Sequence, residues 1–186
     1  MKPPKDYLSY SQLNLFLQSP EEYYRRYFLK EKFEPNDAMR FGSVIHKVLE
    51  DRTVETQSLN LDENQLLIAN KVREEIPVLE QCEVKLLVKH EPINLLAIFD
   101  GMHDNTIYEY KTCKSHWTQR RVDESLQLTF YTFVYIKKFK RMPNLKLISI
   151  SSTSGKHKTF STMRTLGDLE ELQDKINYFI EEIKRL

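Results

Sequence analysis

The feature that most limits what this chain can fold into is a change of hydrophobic period near residue 80. Before it, apolar residues recur at helical spacing; after it, three short stretches alternate. Cys82 to His90 and Ile93 to His103 read as strands joined at Glu91-Pro92. Thr106 to Thr112 reads as a third strand after a turn at Asp104-Asn105. Three consecutive strands joined by short turns predict a meander, and the flanking segments must supply the helices that cover it.

Those segments are legible. Ser9 or Ser11 caps a helix through Leu13, Leu15 and Phe16, which Pro20 breaks in two; Ser19-Pro20-Glu21-Glu22 restarts it toward Leu29. Phe41 to Asp51 carries Val44, Ile45, Val48 and Leu49 at helical spacing, and residues 62–76 form another helix. Downstream, Asp123 to Lys140 is a helix with Leu126, Phe130, Phe133, Val134 and Ile136. Leu145 to Ser151 is a strand, Gly155-Lys156 a turn, and His157 to Ser161 a strand pairing back as an edge. Leu169 to Leu186 closes the chain as an amphipathic helix. The expectation is an α/β fold, a central mixed β-sheet flanked by helices. It forms one domain over 1–186, with 1–80 mainly helical and 81–186 holding the sheet, its flanking helices and the chemistry.

The chemistry concentrates in Asp100 to Lys111, D-G-M-H-D-N-T-I-Y-E-Y-K. Asp100 ends the apolar run Leu95-Leu96-Ala97-Ile98-Phe99, and Glu109 and Lys111 share a strand face. Read blandly, this is a charged hairpin edge with Asp-Gly as its turn. Against that, three ionisable groups at the ends of buried strands cost free energy unless paired or bound to metal. Two acids can hold a divalent cation, and a lysine can orient water and stabilise charge on a phosphate, which is what phosphodiester hydrolysis requires. Carboxylates suit magnesium or manganese, and an added imidazole favours manganese. His46 and Glu50 share a helix face, as do Gln127 and Tyr131. Taken alone, each pair is an ordinary helix feature.

Bulk composition excludes more than it assigns. With 28 basic and 27 acidic residues the net charge is +1, so only local clustering can speak for a nucleic-acid partner. No apolar run is long enough to span a bilayer, and the first residues lack the hydrophobic stretch of a signal peptide. Cys82 and Cys113 make neither a disulfide framework nor a C-x-x-C pair, and two thiolates are too few for a four-cysteine iron–sulfur cluster. A reducing, cytoplasmic setting is the simplest expectation, the host's cytoplasm if the chain is phage-encoded.

In combination the motifs resemble a family. The order G-x-x-x-H (Gly42 to His46), D-G (Asp100-Gly101), E-Y-K (Glu109 to Lys111) and Q-x-x-x-Y (Gln127 to Tyr131) is similar to the RecB-type branch of the PD-(D/E)xK nuclease superfamily. Tyr10-Ser11-Gln12-Leu13, and Ser19-Pro20 leading into Tyr23-Tyr24-Arg25-Arg26-Tyr27, resemble that branch's N-terminal helix. The resemblance implies a restriction-endonuclease-like core. His46, Asp100, Glu109 and the Tyr110 backbone carbonyl would bind Mg2+ or Mn2+. Lys111 would position the nucleophilic water, and Gln127 and Tyr131 would brace the site or touch DNA. Glu50 would support His46 from behind. Ser19 stands where many relatives carry a cysteine, which argues against a cluster. Relatives are often fused to a helicase, but here no G-x-x-x-x-G-K-[ST] loop occurs, and Ser154-Gly155-Lys156 is a hairpin fragment. Unwinding would then come from a helicase or recombination partner, or the DNA would already be single-stranded or have free ends.

For DNA contact, Lys114, Trp117, Arg120 and Arg121 mix positive charge with the chain's one tryptophan. The alternative is a solvated loop with Trp117 folded back on the body. Arg25 and Arg26 form a second candidate strip. The sequence thus points to a metal-dependent deoxyribonuclease, an exonuclease of recombination, repair or phage-type replication. Its rivals are a structure-specific or restriction-type endonuclease, a non-catalytic DNA-binding module and an unrelated metal-binding protein.

Overall fold

The computed structural model describes residues 5–185. Leu186, expected to end the last helix, lies outside them. The elements follow in the order β1 (Tyr7–Ser9), α1 (Tyr10–Gln18), α2 (Pro20–Tyr27), α3 (Asp37–Glu50), α4 (Glu63–Glu75), β2 (Gln81–Val88), β3 (Asn94–His103), β4 (Thr106–Cys113), α5 (Gln119–Asp123), α6 (Leu126–Phe139), β5 (Asn144–Ser151), β6 (His157–Thr162) and α7 (Leu166–Arg185). A single 3-10 turn at Thr56–Ser58 sits between α3 and α4.

The helix starts follow from side chains that satisfy otherwise unpaired N–H groups. Ser9 accepts from Gln12 N ahead of α1. Ser19 accepts from Glu22 N ahead of α2, whose first residue is Pro20. Asp62 and Gln65 form a reciprocal capping box on α4. Two expectations need correction, and one element was not read from the sequence. Helix α3 begins at Asp37 rather than Phe41, because Asn36 accepts from Met39 N and so starts it earlier. The helix expected from Asp123 is two: α5, capped by Thr118, ends at Asp123, and α6 starts afresh at Leu126 under Ser125. Tyr7–Ser9, too short to show a period, is a strand.

The six strands form one mixed sheet. Strand β3 pairs antiparallel with β2 along most of its length, from Val88↔Leu95 to Gln81↔Met102. On its other edge β3 is shared: β1 lies parallel against Asn94–Leu96, and β4 runs antiparallel against Gly101–His103. Strand β4 then pairs parallel with β5 along its whole length, from Thr106↔Asn144 to Cys113↔Ser151, and β6 closes the far side. The β5–β6 turn places Gly155 at φ +66, so this glycine serves a hairpin.

Helices cover both faces. On one, Leu13 and Phe16 of α1, Phe130 and Val134 of α6, and Leu172, Ile176 and Phe179 of α7 meet Leu95, Ala97 and Phe99 of β3. On the other, Ile45 and Leu49 of α3 and Ile68 and Val72 of α4 meet Tyr110, Ile148 and Ile150. Strand β5 is buried on both sides, each such aliphatic side chain contributing roughly 1.5–3 kcal/mol. Among the described residues no helix is long and apolar enough to cross a membrane.

Candidate active site

Strand β3 changes character at Asp100. Its odd-numbered residues Leu95, Ala97 and Phe99 are buried while Ile98 is exposed. On the β2 side the ladder passes from Val84↔Phe99 to Cys82↔Gly101 and skips Glu83 and Asp100, and Glu83 takes φ +49. On the β4 side pairing stops at Gly101↔Tyr108, one position short of Asp100 and Glu109. A carboxylate closes the gap: Asp100 Oδ2 accepts from Tyr110 N at 2.7 Å. The next residue, Gly101, is closely packed. A Cβ on Gly101 would run into the end of Leu79 and come within 3.2 Å of the Gln81 carbonyl. Gly101 lies in mid-strand, paired on both sides, and is not a turn.

The break brings together residues far apart in the chain. His46, on α3, lies with its Nδ1 3.0 Å from Asp100 Oδ1. Burial drags the imidazole down, but the hydrogen bond and charge of Asp100 outweigh it and leave His46 above its ordinary value. Glu109 is 2% exposed. Its Oε1 takes the Lys111 ammonium at 2.6 Å and the Gln127 amide at 2.8 Å. Gln127 Nε2 also lies 2.8 Å from the Tyr131 hydroxyl, so α6 braces the carboxylate from above. Glu109 Oε2 is buried and has no partner. Burial, and next the nearby Asp100 charge, push the Glu109 carboxyl up to about 7 against the pull of Lys111. Lys111 feels desolvation downward, but Glu109 prevails and keeps it above the usual lysine range. Burial likewise raises the Tyr131 phenol.

These groups can do three things: bind a cation through carboxylate and imidazole, hold a positive ammonium beside it, and keep both in fixed register. Among the described residues no three or more His, Cys, Asp or Glu side chains already stand as a closed metal-binding group. His46 and Asp100 face each other, while Glu109 faces Lys111 and Gln127. The donor types nevertheless fit a hard divalent cation, and the unpaired Glu109 Oε2 is a buried acceptor in want of one.

The site opens on a groove of about 680 Å3 along α3, lined by Gly42, His46, Tyr110 and Lys111. A Cβ on Gly42 would meet nothing within 4 Å, so the helix is bare where it faces the groove. Glu50 lines the same groove, and its carboxyl is raised by burial and by Glu83 rather than bonded to His46.

The residues singled out for DNA contact are spread more widely. Arg25 is tied to Glu31 at 2.8 Å, and Arg26 to Glu22 at 3.4 Å with its guanidinium 4.1 Å over Phe33. Arg120 pairs with Glu124 at 2.8 Å. Trp117 packs partly onto the core, its backbone N–H donating to Ser149 Oγ, with Arg121 stacked 3.9 Å over its ring. Lys114 is exposed. Tyr10 is a residue the sequence named only within a motif. Its phenol, raised chiefly by burial, also feels Lys111 and Glu109. The strand–helix junction at Ser9 is the local signal that could have marked it.

The comparisons with known proteins speak to family and fold. A family model described as the PD-(D/E)XK nuclease superfamily matches residues 7–99, ending one residue before Asp100. A search of curated proteins finds no match. Among solved structures, a Eubacterium rectale protein named provisionally as an exonuclease superposes with a TM-score of 0.72 at 14% identity, covering 97% of this chain and 80% of that one. LHK-Exo, solved in complex with dAMP, gives 0.57 at 14% identity over 98% and 90%. At that identity the likeness is one of fold.

Proposed function

We propose that this chain, which belongs to the PD-(D/E)XK nuclease superfamily, is a metal-dependent deoxyribonuclease that degrades DNA from an end. The observation that carries the reading is Glu109. It is a buried carboxylate with one oxygen fixed by Lys111 and Gln127, the other unpaired, and Asp100 beside it. Leaving an acceptor unsatisfied in the interior costs about 1–3 kcal/mol. A site that carries this strain has a use for the free oxygen.

Asp100, Glu109, His46 and the Tyr110 carbonyl would hold Mg2+ or Mn2+. Held there, such an ion would supply Lewis-acid stabilisation of the charge developing on the phosphate. Lys111 stays protonated beside Glu109, orients the attacking water through its remaining N–H groups and stabilises the negative phosphate. Gln127 and Tyr131 hold Glu109 in one rotamer. Asp100 keeps β4 in place through Tyr110 N, so the same carboxylate shapes the backbone and faces the reaction. Action from an end is supported by the exonuclease names of both structural relatives, and recombination, repair or phage-type replication is the setting in which such an activity serves.

End-labelled linear and closed circular single-stranded DNA, incubated with manganese or with chelator, test this. Manganese-dependent loss of the linear substrate alone is expected. Cutting of the circle would move the assignment to an endonuclease. Cutting in the presence of chelator would overturn the metal requirement.

A further inference from the structure

A second cavity, of about 260 Å3, is lined in part by residues that brace the site. It lies under the N-terminal strand and the start of α1. Its floor is Leu96 and Ile98, on the same strand as Asp100, and one wall is Gln127 and Tyr131, which brace Glu109. The cavity therefore shares residues with the catalytic constellation. The remaining lining is Tyr7, Tyr10 and Tyr27, with Ser9 and Ser11 between them. Lys5 stands at its edge, its Nζ 3.0 Å from the Tyr7 hydroxyl and 5.2 and 5.7 Å from the Tyr7 and Tyr27 ring centres. Tyr27 is held in turn by Tyr23, 4.9 Å away and fully buried.

Aromatic faces with a cation at the rim suit a nucleobase and its phosphate, because every base has a π-face to stack and every nucleotide a charge to neutralise. The volume falls below the roughly 300–1,000 Å3 of pockets that enclose drug-sized ligands. That space suits a single nucleobase seated among the rings. We infer that this tyrosine-lined cavity receives the unpaired base of the nucleotide adjoining the cleaved phosphate, so that the enzyme works on single-stranded DNA. The inference rests on the nuclease reading above and names its substrate class.

The test uses oligonucleotides in which one abasic sugar is walked through each position near the labelled end. In the wild-type protein with manganese, an abasic sugar at one position next to the cut raises KM on the order of tenfold, with a much smaller change in kcat. Ser11→Trp, at an exposed residue on the cavity wall, fills the space while leaving the core rings in place. This variant raises KM for the intact strand to the same extent and no longer distinguishes intact from abasic. Equal KM for intact and abasic strands at every position in the wild type overturns the inference, as does undiminished discrimination in Ser11→Trp. Should the wild type cut neither strand, the nuclease reading fails on its own. Fluorescence anisotropy of the same oligonucleotides then decides the cavity: tighter binding of the intact strand sustains it, and equal binding overturns it.

Discussion

Strand β4 has two edges that could hardly differ more. Against β5 it is paired at every position from Thr106 to Cys113. Against β3 it is paired at three and then parts from it at Glu109. The β5 edge is lined by Leu145, Leu147, Ile148 and Ile150, all buried. The β3 edge is lined by ionisable groups, and a side chain, Asp100, takes the place of the missing ladder bond. A continuous ladder leaves no donor or acceptor free for a ligand. An interrupted one leaves several, held rigidly by the pairing on either side. The scaffold and the site are thus two treatments of one strand.

The contrast can be broken from either edge. On the open edge, Asp100→Asn and Lys111→Ala should each lower cleavage by about a hundredfold or more, while circular dichroism below the transition stays that of the wild-type fold. Wild-type rates in either variant would remove the site from this seam. On the paired edge the effect should fall on stability. Leu147→Ala leaves a cavity at a fully buried position and should cost about 2–5 kcal/mol, lowering the Tm by about 5–15 °C, with activity per folded molecule retained below the transition. A loss of activity without a loss of stability would mean that the two edges are not separable.

Smaller effects sharpen the picture. Gln127→Ala frees Glu109 Oε1 from one of its two donors. It should reduce manganese affinity or activity about 10- to 100-fold, read as a rightward shift of the metal titration; an unchanged titration would reduce Gln127 to a helix-surface residue. Smallest is Ser149→Ala, on the β5 edge. Ser149 Oγ accepts from Trp117 N and lies 3.1 Å from both His116 Nδ1 and Cys113 Sγ, tying the segment after β4 to the sheet. Its loss should cost about 1–3 kcal/mol, seen as a modest fall in Tm and faster proteolysis near Trp117. Equal proteolysis would show that the segment is held by Trp117 packing alone.

Much of this was legible in the residues. The three meander strands lie within a residue or two of their expected bounds, because alternation and turn residues act locally. The break at Pro20 and the helix over 63–75 follow from capping chemistry, which is equally local. Asp100, Glu109 and Lys111 stood out because charge at the end of an apolar run is expensive. Less legible were elements set by distant partners. Tyr7–Ser9 is a strand only because β3 offers it an edge, and α5 exists because Thr118 and the neighbouring sheet place it. The partners of Arg25, Arg26 and Arg120, which are Glu31, Glu22 and Glu124, were also not legible from the sequence.

The sequence by itself determined which segments are helical, which are extended, and which side chains are able to hold a metal or stabilise a phosphate. Those properties depend on neighbours a few positions away. The tertiary structure alone decided that β3 parts from β4 at Asp100 and that His46 reaches it across 54 positions. It also decided that Glu109 keeps one buried oxygen unpaired, and that three tyrosines and a lysine from the first 27 residues enclose a cavity against Gln127 and Tyr131. Each of these depends on which surfaces meet, and burial and strand pairing between distant segments leave no periodic trace along the chain.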